Sequence, residues 1–203
     1  MPRSRRTSIF GAHVLKLAAA LTVAASVLVG CASDPSVQIP EGPWSTEFQS
    51  AYDSVDDPFV RGVLLDGAVT EQEYAEMVGR YSECMADVGI TLKENPPSEG
   101  GFSYTFPASV SNDEAHAADT RCSEESGEYV IGALYHFVKR NPQHLDENRI
   151  VYDCLLAADV IDTSYTVDDF ADDYVSQSFP FADDEASMER LGACDADPLG
   201  LLQ

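Results

Sequence analysis

Five cysteines are the residues of this 203-residue chain best suited to covalent chemistry: Cys31, Cys84, Cys122, Cys154 and Cys194. A thiol can attack a substrate, bind a metal, accept a lipid or close a disulfide, and spacing separates these roles. No C-x-x-C pair occurs, and His116, His136 and His144 show no ligand spacing, so no metal site is expected on these cysteines. Beyond residue 30 there is no G-x-S-x-G, Walker loop, G-x-G-x-x-G, H-E-x-x-H or S-x-x-K constellation. Carboxylates are abundant, and Asp168-Asp169, Asp172-Asp173 and Asp183-Asp184-Glu185 are the clusters that could offer oxygens to calcium. None has the D-x-[DN]-x-[DN]-G loop, so the simpler reading is acids at helix starts, favoured by the helix dipole. A carboxylate pair for glycoside cleavage needs a separation of about 5–10 Å and a raised pKa, which no sequence spacing establishes. Neither a catalytic centre nor a cofactor is expected.

Cys31 stands apart from the other four. Residues 1–16 carry Arg3, Arg5, Arg6 and Lys16 and no acid, and residues 17–30 are apolar and uncharged. That is the layout of a secretory signal. At about 1.5 Å per helical residue the apolar stretch reaches about 21 Å, short of a hydrocarbon core of about 30 Å. It ends in Leu28-Val29-Gly30-Cys31, which resembles the lipobox of bacterial lipoproteins. The resemblance implies cleavage after residue 30 and a diacylglycerol on the Cys31 thiol. Two acyl chains suffice for stable anchoring. The expected location is therefore the extracytoplasmic face of the cell membrane, held by lipid.

Four of the 12 basic residues precede Cys31 and all 35 acidic residues follow it, so the chain from Cys31 onward carries 8 minus 35, a formal −27. Such a chain repels nucleic acid and anionic head groups. Most of the charge is explained as a solvated surface. Residues 31–43 hold Pro35, Pro40 and Pro43 and few apolar groups, and are expected to form a semi-extended tether. Residues 44–203 suffice for one domain, with 44–142 and 143–203 as candidate halves.

With Cys31 taken by lipid, an even number of cysteines remains in an oxidising compartment, which points to disulfides. Four cysteines allow three pairings. Cys84–Cys122 and Cys154–Cys194 are favoured because their separations, 38 and 40, are nearly equal and each closes its own half.

The pattern between them is mostly helical. Thr46 and Gln49 suggest the opening of a helix over 44–55, and Asp57-Pro58 starts a second that Gly67 can stop. Thr70-x-x-Glu73 is a capping box, followed by Tyr74, Met77, Val78, Tyr81, Cys84, Met85 and Val88 at helical spacing and by Gly89 as the stop. Residues 90–106 change to period two at Phe102, Tyr104 and Phe106, the signature of a small hairpin packed on a helix. Helices are then predicted from Asn112 through Cys122, from Ser126 to Asn141-Pro142, from Asp146 through Leu155, after Thr166-x-x-Asp169 with Val167, Phe170, Tyr174 and Val175 inward, and around Met188 and Leu191. The fold class is mainly α: a disulfide-stapled helical domain with a short β-hairpin. Each half sets one cysteine on an amphipathic helix and a second about 40 residues later, which makes internal duplication a candidate.

Thr70-x-x-Glu73-Tyr74, Arg80-Tyr81-x-x-Cys84-Met85 and Gly89 together resemble the recurring core of uncharacterised lipoproteins from high-GC Gram-positive bacteria, over roughly residues 66–160. These motifs cap, pack and bridge, so the resemblance implies location and fold but no activity. The function expected is a non-catalytic binding module whose partner is another envelope protein. The alternative is a small-ligand receptor serving an envelope transporter. A deep pocket with converging polar groups favours the receptor, and an apolar patch favours the module.

Overall fold

The computed structural model describes residues 37–96 and 101–202, so Cys31 and the stretch expected to be a signal segment lie outside the described residues. Helix α1 (Ser45–Ser54) follows Trp44, which makes no side-chain cap. Thr46 and Gln49 do not open it. Gln49 instead clamps the preceding strand of chain, accepting from the Ile39 N–H at 3.0 Å and donating to the Val37 carbonyl at 3.2 Å. Ile39 is buried in the core. Of the tether expected over 31–43, residues 31–36 lie outside the described residues, whereas the part from Val37 packs on the domain, because one apolar side chain and two backbone bonds tie it to α1.

Helix α2 (Pro58–Leu64) carries proline where a missing N–H costs nothing, and Asp57 caps the next two amides. Helix α3 (Glu71–Asp87) has the reciprocal Thr70/Glu73 box and buries Tyr74, Met77, Tyr81 and Met85 at steps of three and four. Val88, expected on that face, is exposed just past the last helical residue. Strand β1 (Thr91–Glu94) pairs antiparallel with β2 (Phe102–Thr105), Leu92 facing Tyr104. Phe102 and Phe106 pack on the α3 side, whereas Tyr104 is exposed.

Helix α4 (Asn112–Ser126) opens with a second box, Ser111/Glu114. The segment expected as one helix from Ser126 is interrupted. Gly127 turns left-handed (φ +81°), a π-helical turn spans Glu128–Gly132, and α5 (Ala133–Arg140) follows. The wider turn buries Ile131 and leaves Tyr129 76% exposed. Helix α6 (Glu147–Ala157) is capped by Asp146, α7 (Val167–Ser176) by the Thr166/Asp169 box, and α8 (Glu185–Ala196) by Asp184. On α7 only Phe170 is fully inward. Val175, expected inward, is 87% exposed, since it lies on the opposite side of the helix from Phe170.

Three apolar clusters result. One gathers Trp44, Phe48, Leu64, Met77, Ile131 and Leu134, a second lies between α3, α4 and the hairpin, and a third joins α6, α7 and α8. Disulfides close Cys84–Cys122 (α3 to α4) and Cys154–Cys194 (α6 to α8), with Cα separations of 5.6 and 5.7 Å. Both are ordinary bridge distances.

Candidate binding sites

The described cysteines are all consumed in bridges, and the three histidines come to different places. His116 is exposed on α4. His136 on α5 faces the Tyr74 hydroxyl at 3.1 Å, and that hydroxyl donates to Glu94 at 2.9 Å. Tyr135 stacks on Tyr74 with ring centres 3.9 Å apart and donates to Glu71, which also takes the Lys139 ammonium. Burial, and then the Glu94 carboxylate, push the Tyr74 phenol well above its ordinary pKa. Burial lowers the pKa of His136. The cluster thus offers a neutral phenol as donor, and its bonds join β1, α3 and α5.

The acid clusters divide in the same way. Asp169 and Asp184 are helix caps, and Asp173 accepts from the Tyr165 hydroxyl at 2.9 Å. Among the described residues no three His, Cys, Asp or Glu side chains are placed to hold a metal ion. No helix among them is long and apolar enough to cross a membrane.

Two concavities share Phe137 of α5. The first is a groove of about 810 Å³ between α1 and the π-turn–α5 segment, walled by Trp44, Ala51, Tyr129, Leu134, Phe137 and His144. Trp44 anchors it: the indole N–H donates to the Asn141 carbonyl at 2.8 Å, and the ring lies 4.1 Å from His144 and 6.1 Å from Phe137. Asn141 is fully buried, and its amide bonds Leu145 and Glu147. Glu47 stands on the rim, Oε1 at 3.4 Å from His144 Nε2. Its Oε2 is buried with no hydrogen-bond partner among the described residues.

The second concavity is a cleft of about 870 Å³ between α5, α6 and α8. Its polar groups converge on Arg140, a side chain only 11% exposed. Arg140 donates through Nε to the Asp195 carbonyl at 2.9 Å and through Nη1 to Glu147, linking α5 to α6 and α8. The Tyr174 hydroxyl donates to Asp195 at 3.0 Å. Phe137 and Glu147 line both concavities, which therefore meet across α5.

Sequence reasoning passed over Trp44, Tyr129, Phe137, Arg140 and Glu147. One signal was present. Tyr129, Ala133 and Phe137 recur every fourth residue beside the stripe of Val130, Ile131, Leu134 and Val138, so this segment is apolar over a wider arc than one core face needs. No protein-family model matches the chain, and comparison with curated proteins and with solved structures finds no similar one.

Proposed function

We propose that this protein is a non-catalytic binding module, anchored by lipid on Cys31 at the extracytoplasmic face of the cell membrane, that docks a segment of another envelope protein in the α1–α5 groove. The observation that carries the reading is the exposed aromatic pair Tyr129 and Phe137, 76% and 46% accessible, beside the Trp44 wall. Core packing gains nothing from aromatics left in solvent, whereas aromatic anchors lining a groove are what helical peptides use to dock. Charge selects the occupant. The rim carries Glu47 and Glu147 on a chain of strongly negative charge, so the fitting segment pairs apolar anchors with basic flanks.

Photocrosslinking in intact cells tests this. A photoreactive residue at Tyr129 should capture one dominant envelope protein that the same residue at Glu124, exposed on α4, does not. Phe137→Ser should abolish that capture, and Cys31→Ser should move the chain out of the membrane fraction. Equal capture from both positions, or capture indifferent to Phe137, would overturn the groove reading. A membrane-bound Cys31→Ser chain would overturn the anchor.

A further inference from the structure

We infer that Trp44, Glu47 and His144 form a proton-operated latch on the rim of the α1–α5 groove: the protonated imidazole closes onto Glu47 and displaces the basic group of a docked segment. The latch stands on its own geometry, and only the displacement rests on the proposed function. The imidazole lies 4.1 Å from the Trp44 ring, and its Nε2 is 3.4 Å from Glu47 Oε1. Its backbone is left-handed, φ +50°, a conformation that persists where the surroundings hold it. Here the Asn141 carbonyl accepts from the His144 N–H at 3.0 Å and from the Trp44 indole N–H at 2.8 Å. One buried residue therefore sets the indole and the imidazole side by side.

Charge makes the pair responsive. Glu47 Oε2 is buried with no hydrogen-bond partner among the described residues, and the ion-pair neighbour of Oε1 is the imidazole. An oxygen so placed costs free energy that a positive neighbour recovers. A protonated His144 supplies that charge, and the indole face stabilises it further. The side chain is 37% exposed, so protons reach it. The other ionisable groups of the groove are Tyr129 and, from α6, Glu147, which is taken by Arg140 and by the Asn141 amide. Asp146, two residues on, caps α6. Within this lining His144 is thus the side chain whose ordinary change of charge falls between about pH 5 and pH 8. A basic group docked in the groove needs the Glu47 carboxylate that the imidazolium also needs. The two compete, so protonation weakens docking and docking releases a proton.

Emission from Trp44, the single tryptophan of the chain, reads the latch directly, because an imidazolium in contact with indole quenches it. In the full chain in nonionic detergent, emission should fall in one step between about pH 8 and pH 5. His144→Asn, which tolerates the left-handed backbone, should remove the step, and His136→Gln should keep it. The displacement is read by anisotropy of a rhodamine-labelled, end-capped helical peptide of leucine, alanine and two arginines. It should bind about three- to tenfold more weakly at about pH 5.5 than at about pH 7.5. His144→Asn should abolish that difference, and Glu47→Gln should bind at the higher pH as weakly as the unaltered chain does in acid. A step in emission with no peptide binding at either pH supports the latch and overturns the groove reading instead. The latch is overturned if no emission step depends on His144. The displacement is overturned if the peptide binds equally at both pH values, or if acid weakens it as much in His144→Asn.

Discussion

Residues 44–142 and 143–203 are stapled alike and built differently. Each has one bridge, across 38 and 40 residues, with a fully buried second cysteine (Cys122, Cys194) and a more accessible first one. Between the bridged helices the first half inserts the β-hairpin, whereas the second inserts α7. The parallel expected from equal spacing is therefore confined to the staples. The first half has two apolar clusters and the tyrosine–carboxylate bonds between α3, α5 and β1. The second has one cluster, rich in rings at Phe170, Phe179 and Phe181. A unit of about 60 residues buries a smaller share of its surface, so it depends more on its bridge. Equal covalent spacing constrains the unfolded chain equally and says nothing about what packs inside the loop.

The sharpest way to break the comparison is to remove each bridge. In the chain-entropy view the two losses are alike, about 4 kcal/mol each. Their distribution should differ. Cys154→Ser with Cys194→Ser should abolish amide exchange protection over α6–α8 while α3 and α5 stay protected. Cys84→Ser with Cys122→Ser should leave α3 protected through Met77 and Tyr74, both buried in the other cluster. Protection lost evenly across both halves in either variant would show a single cooperative unit instead.

A smaller effect, confined to the first half, is expected at Gly127. Its φ of +81° and a Cβ that would fall 2.6 Å from Val60 Cγ2 make Gly127→Ala costly, by about 1–3 kcal/mol. Thermal unfolding measures it, and an unchanged midpoint would mean that the π-helical turn shifts to make room.

The smallest effects come from the caps and should be equal in the two halves. Thr166→Ala and Ser111→Ala should each cost about 1 kcal/mol. The Ser111 N–H and hydroxyl hold the Glu114 carboxyl below its ordinary pKa, and the Thr166 hydroxyl and N–H do the same for Asp169. Because the unfolded chain takes up these protons first, the stability they confer is present above the ordinary carboxylate range. It is lost as pH falls through the lowered folded values. Melting midpoints followed from about pH 6 to about pH 3 should drop less steeply in Asp169→Asn and in Glu114→Gln than in the unaltered protein. An unchanged slope would mean that the caps carry none of the acid sensitivity.

Much of the fold was legible because its signals are local. The Thr70/Glu73 and Thr166/Asp169 boxes satisfy amides within three residues of themselves, and the step of Tyr74, Met77, Tyr81 and Met85 is a property of one helix. The Ser111/Glu114 box was equally local, although the sequence reading started α4 correctly at Asn112 without naming its cap. Val175 was misplaced because an apolar residue near a helix end satisfies a periodic pattern without being covered.

By itself, then, the sequence determined most of the helices, the Asp57, Thr70 and Thr166 caps, the excess of acid and the favoured disulfide pairing. These follow from hydrogen bonds within a turn, from composition, and from loops closed inside each half. Only the tertiary structure decided that Ile39 joins the core, that a π-helical turn interrupts the chain before α5, and that Trp44 meets Asn141 across 97 residues. It alone decided that Arg140 reaches α8 from α5 and that the two concavities meet at Phe137. The physical reason is that a groove belongs to the space between elements. Its walls are residues left over when each helix has buried its core face, and which residues those are depends on how the helices pack.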